Sequence, residues 1–96
     1  MKLWIDDIRE PPEQWAWAKT AGDAKVILST GSIETVSFDN DLGPNSQEGW
    51  EVMNWLEEKV FLGIIPAPKA ITIHSANIPA KRRMQMAALK ILTGRP

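Results

Sequence analysis

Three short apolar runs each end on a polar cluster, and this pattern constrains the fold more than any other feature of the chain. Leu3-Trp4-Ile5 runs into Asp6-Asp7, Glu34-Thr35-Val36-Ser37-Phe38 into Asp39-Asn40-Asp41, and Ala70-Ile71-Thr72-Ile73 into His74-Ser75-Ala76-Asn77. Apolar runs this short suit strands buried in a parallel sheet. Segments with helical spacing separate them. Thr20 reads as the N-cap of a helix with Asp23 in its first turn and Ala24, Ile27 and Leu28 inward, ending near Gly31. Ser46 reads as the cap of a second helix, with Trp50, Met53, Leu56 and Val60 on its apolar face. Asn77 caps a third, with Pro79 in its first turn and Met84, Ala87, Ala88 and Ile91 inward. Trp15-Ala16-Trp17-Ala18-Lys19 reads as a further strand, placed second in the chain. Pro11-Pro12 forbids a helix between it and the first strand, so it is reached by an extended loop or pairs antiparallel at an edge. Strands alternating with helices predict an α/β fold with a mostly parallel sheet covered on both faces.

The 96 residues make one domain, 1–96. Without cysteine there is no disulfide framework and no thiolate metal site. The start becomes acidic at Asp6-Asp7, which interrupts the apolar stretch that a signal peptide needs. No apolar run approaches the roughly 20 residues of a membrane span. The expectation is a cytoplasmic protein with no membrane partner. Charge is divided along the chain. Residues 1–60 hold all 12 acidic residues and 5 basic ones, a net of −7, whereas residues 61–96 hold 6 basic residues and no acid. The division predicts either two halves that neutralise each other or a basic last helix facing a phosphate-bearing ligand. The five tryptophans are read mostly as core or helix–sheet packing.

In an open α/β sheet ligands bind beyond the carboxyl ends of the strands. With strand order 2-1-3-4 the first and third strands are neighbours, and Asp6, Asp7, Asp39 and Asp41 crowd one place. Like charges that close raise one another's pKa unless a cation sits among them. Oxygen ligands of this kind suit a hard divalent ion such as Mg2+ or Ca2+ rather than zinc, and the cofactor expected is a divalent cation, Mg2+ or Mn2+. Each piece has a plain structural reading as a turn, a cap or a solvated face. The convergence at three strand ends is what predicts a site.

The acidic pair, the strand-three Asp39 and Ser75-Ala76 resemble the phosphoacceptor receiver domains of two-component signalling. That resemblance implies Asp39 as acceptor, Asp6 and Asp7 as metal pair and Ser75 as switch hydroxyl. A fifth strand ending in a Lys-Pro pair is absent from this sequence. The closer resemblance is to the cyclic-phosphate processing receiver domains. It is carried by Leu3-Trp4-Ile5-Asp6-Asp7-Ile8-Arg9-Glu10-Pro11, Asp39-Asn40-Asp41-Leu42-Gly43, and His74-Ser75-Ala76-Asn77 with a basic helix through Arg83-Met84. Asn40 stands where that family's pattern has a histidine. The resemblance implies a receiver-like, flavodoxin-like three-layer sandwich reduced to four strands. It further implies processing of a cyclic phosphate or related phosphoester, with RNA ends among the partners. On this reading Asp6, Asp7, Asp39 and Asp41 hold the metal ion. His74 moves a proton, which suits a residue type that titrates near neutrality. Arg9 and Arg83 grip phosphate oxygens, and Ser75 and Asn77 add hydrogen bonds at a helix N-terminus. Two other readings are a receiver phosphorylated on Asp39 and a non-catalytic module that binds a protein partner.

Overall fold

Alternation along the strands sorts the sheet into a face covered by helices and a face roofed by tryptophans. The structure, a computed structural model, describes residues 1–44 and 46–94. Its strands are β1 (Lys2–Ile5), β2 (Ala16–Ala18), β3 (Thr35–Phe38) and β4 (Ala70–Ile73); its helices are α1 (Ala21–Leu28), α2 (Gly49–Phe61) and α3 (Ile78–Thr93). All neighbours are parallel, in the order β2-β1-β3-β4. The register sets Leu3 beside Ala16 and Val36, and Ile5 beside Ala18 and Phe38, then runs on to Ile71 and Ile73. Leu3, Ile5, Ala18, Val36 and Phe38 are fully buried. They face Ala24 and Leu28 of α1, Val52, Met53 and Leu56 of α2, and Met84, Ala88 and Ile91 of α3 in one core.

The order 2-1-3-4 and the parallel sheet are as read from the sequence. The layer expected beyond the second face holds no helix among the described residues. Both helical crossovers, β2 to β3 and β3 to β4, step the same way across the sheet. Right-handed connection puts α1 and α2 on one face, and α3 packs against α2 and β4. The connection that would carry a helix to the other face is the segment 6–15, where Pro11-Pro12 prevents one. β2 is parallel to β1 even so, held by the amide of Asp6 on the carbonyl of Ala18 at 3.1 Å. The second face therefore carries Trp4, Trp17, Ser37 and Thr72, with Trp15 edge-on to Trp4 at 6.0 Å between ring centroids. All five tryptophans are partly buried: Trp50 and Trp55 pack from α2 against the core, in keeping with helix–sheet packing, whereas Trp4, Trp15 and Trp17 form a roof on the second face.

The caps at both ends of the helical layer are those expected. Thr20 accepts from the amide of Asp23 and Asn77 from that of Ala80, each at 3.1 Å. Ser46 differs. Its hydroxyl oxygen accepts from the amide of Ala21, so it serves α1, while α2 starts three residues later. Asn40 fixes that start: its carbonyl accepts from the amide of Gly49 at 2.8 Å and its side chain from that of Trp50 at 3.2 Å. Among the described residues no helix is long and apolar enough to cross a membrane.

Candidate functional site

The parallel sheet delivers the ends of β1, β3 and β4 to one rim, and a cleft lies there. Asp6, Asp7, Arg9, Asp39, Asn40, Asp41, Glu48, Ser75 and Asn77 line it, with Ile8 and Ala76. Carboxylate oxygens of Asp6, Asp7 and Asp39 come within 4.8 Å of one another. Asp41 lies outside this group, which corrects the expected set of four. Its side chain is exposed and accepts from the amide of Gly43 at 3.3 Å, closing a turn that Gly43 permits with its φ of +93°.

Asp6 is the anchor of the cleft and is 1% exposed. One oxygen accepts from the amides of Ile8 and Arg9, both at 2.9 Å. The other lies 3.0 Å from Nε2 of His74. Burial pushes the Asp6 carboxyl up, but the two amides and the imidazole together hold it below its ordinary 3.8. Asp39 goes the other way. Burial, and then the charge of Asp6, push it above 3.8, against the opposing pull of the Asn40 amide, His74 and Arg9. The buried Asp6 and the half-buried Asp39, of opposed shift, with the half-buried Asp7 beside them, crowd three carboxylates around one point, against the partial counter-charge of Arg9. Such a set of hard oxygen donors fits a divalent cation.

His74 stands behind the cleft rather than in its lining. Strand parity explains this. His74 follows Thr72 onto the roofed face, where Ser37 lies opposite Thr72. Its Nδ1 is 2.7 Å from the Ser37 hydroxyl, and its ring stacks on Trp4 at 4.0 Å with 5° between planes. An ionised Asp6 can only accept, so Nε2 carries the proton toward it and the Ser37 hydroxyl donates to Nδ1 in the neutral ring. Both nitrogens are occupied.

Ser75 turns to the other side, lines the cleft, and accepts from the amide of Asn77 at 3.1 Å. Arg9 lines the cleft and its guanidinium reaches the carbonyl of His74 at 3.4 Å. Arg83, expected on phosphate, instead lies over the ring of Trp50, 4.8 Å from its centroid, because its position on α3 faces α2. Sequence reasoning missed Ser37 and Glu48. Ser37 was legible as the polar residue of an apolar strand sharing the parity of His74. Glu48 had only its place ahead of Gly49 as a signal.

A parallel 2-1-3-4 sheet with an acidic cleft at its carboxyl rim defines a receiver-like domain. The sequence model of the cyclic-phosphate processing receiver domain matches residues 1–90, and the chain belongs to that family. Searches among curated proteins and solved structures return no match.

The opposed shifts predict the acid behaviour of the metal-free protein. A carboxyl held below its unfolded value contributes stability that is present above pH 3.8 and lost as pH falls through its folded pKa. Asp6→Asn is therefore less stable than the unmutated chain at pH 7. The gap narrows below pH 3.8, which melting curves from pH 7 to pH 2.5 will read.

Proposed function

We propose that the cleft binds a divalent cation and a phosphoester, and opens a cyclic phosphate such as the 2′,3′-cyclic end of an RNA. The observation that carries this reading is the convergence of Asp6, Asp7 and Asp39 within 4.8 Å at the rim where α/β folds bind ligands. A bound Mg2+ or Mn2+ supplies charge neutralisation at the phosphoryl oxygens and a polarised water. The three carboxylates hold it. Arg9 meets a phosphate oxygen from the opposite sign of charge, and Ser75 and Asn77 add polar contacts ahead of α3. His74 works from behind as a positioning residue: it fixes the carboxylate of Asp6, while Ser37 and Trp4 fix its own ring. This replaces its role as proton carrier with one that its occupied nitrogens support. Arg83 drops out of the phosphate set, since it lies over Trp50.

The test is phosphorus NMR of 2′,3′-cyclic AMP with the protein and Mg2+ or Mn2+. The expected result is conversion to a monoester that stops on chelation, together with a melting temperature raised by the metal. A cation at about 100 times its Kd adds about 2.7 kcal/mol. Calorimetry without a binding signal at millimolar metal sinks the reading. A stable acyl phosphate on Asp39 moves it to a phosphoacceptor, and metal binding without turnover of any cyclic phosphate moves it to an interaction module.

A further inference from the structure

We infer that Glu48 is the proton acceptor of this cleft. The inference rests on the phosphoester reading and supplies the base that reading lacks. Of the groups lining the cleft, Asp6, Asp7 and Asp39 form the cation set. Ser75 and Asn77 are engaged with the amides of Asn77 and Ala80. His74 has both nitrogens occupied. Two carboxylates are left, Asp41 and Glu48. Asp41 closes its own turn on Gly43 and has no side-chain partner among the described residues.

Glu48 is held differently. Its Oε2 accepts from the indole Nε1 of Trp50 at 2.7 Å and from Nδ2 of Asn40 at 3.4 Å. Asn40 is 3% exposed and tied to the start of α2 through its carbonyl and its side-chain oxygen. Trp50 is packed against the core, and the guanidinium of Arg83 lies over its ring. One carboxylate oxygen is thus pinned to rigid partners, and Oε1 accepts no hydrogen bond among the described residues. A side chain oriented through one oxygen and free at the other is arranged to take a proton within the cleft.

In the step, the oxygen of a water bonds to phosphorus as one of its O–H bonds breaks, and that proton passes to Oε1 of Glu48. The bond from phosphorus to one ring oxygen breaks, and that oxygen takes a proton from solvent. Glu48 returns its proton to solvent, leaving a phosphomonoester.

The competing account is that Glu48 merely braces the start of α2, and Glu48→Gln separates the two. The amide oxygen of glutamine still accepts from Trp50, so the brace survives, but the amide cannot take a proton at neutral pH. With 2′,3′-cyclic AMP and Mg2+, Glu48→Gln is expected to lower kcat about 100-fold or more. KM, melting temperature and Mg2+ affinity by calorimetry stay as they were. Trp50→Phe, which frees the carboxylate and keeps its basicity, costs less in kcat than Glu48→Gln. An unchanged kcat in Glu48→Gln, with turnover in the unmutated protein, overturns the assignment and leaves the brace. No turnover in the unmutated protein fails the phosphoester reading and takes this inference with it.

Discussion

Gly49→Ala is expected to destabilise the protein by about 3 kcal/mol or more, at or beyond the upper end of ordinary overpacking. A Cβ at this position would lie 2.0 Å from the carbonyl oxygen of Asp39, 2.9 Å from its carbonyl carbon and 3.0 Å from Cα of Asn40. All three are backbone atoms, so no rotamer change relieves the contact. Alanine's better helix propensity returns at most about 1 kcal/mol. For a domain of this size, 3 kcal/mol lowers the melting temperature by on the order of 15 °C. The effect reaches the site as well. The chain at Asp39 and Asn40 has to move, which spreads the acidic group and loosens the hold on the start of α2. Thermal melts combined with Mg2+ calorimetry read both consequences. A variant that melts within 2 or 3 °C of the unmutated chain, a shift of only about half a kcal/mol, would show that α2 does not sit on the β3 end as closely as described.

Asp39→Asn is expected to act in opposite directions with and without metal. In the metal-free protein the Asp39 carboxyl lies above its ordinary pKa, through burial and then the charge of Asp6. For a group raised in this way the stability contribution is full below pH 3.8 and is lost as pH rises through the folded pKa. At pH 7 its ionisation therefore works against folding. The asparagine variant, which keeps an oxygen for the amide of Asn40, melts higher than the unmutated protein under chelation. With Mg2+ present the order reverses. Removal of a ligand weakens cation affinity by at least the roughly 10–100-fold that loss of an outer-shell partner costs. The crossing of the two melting curves on adding metal is the distinguishing result. Lower stability in both conditions would mean that Asp39 is held by contacts other than the like-charge group.

Much of the fold was legible because its signals are local. Each of β1, β3 and β4 is an apolar run ended by polar residues, and Thr20 and Asn77 cap the helices their positions announce. What the sequence hid was decided by side-chain direction. Asp39 and Asp41 are two apart in one motif, yet a turn closed on Gly43 sends Asp41 out of the group. His74 and Ser75 are adjacent, and strand parity parts them onto different sides. The start of α2 depends on Asn40, nine residues before it, so the local appeal of Ser46 as a cap was misleading. The missing helix on the second face was foreshadowed by Pro11-Pro12, but the roof of tryptophans that replaces it has no periodic signature.

That roof has a consequence for how order is distributed in the molecule. Residues 6–15 cross the sheet without a helix of their own, and they lead to a three-residue strand at its edge. Asp6 holds the start of this crossing through the amides of Ile8 and Arg9, while its backbone takes the indole Nε1 of Trp17 at 2.7 Å from β2. The other ties of the segment, the indole Nε1 of Trp4 on the carbonyl of Arg9, Arg9 on the carbonyl of His74 and Trp15 against Trp4, lie at the solvent-facing side. A segment so held, without a helix of its own, forms the natural first unit of local opening. A ligand that binds Asp6 only in its closed arrangement opposes that opening with its own binding free energy. Occupancy at the rim and persistence of the β2 edge are then a single equilibrium, and amides of residues 6–18 exchange with solvent more slowly when the cleft is filled.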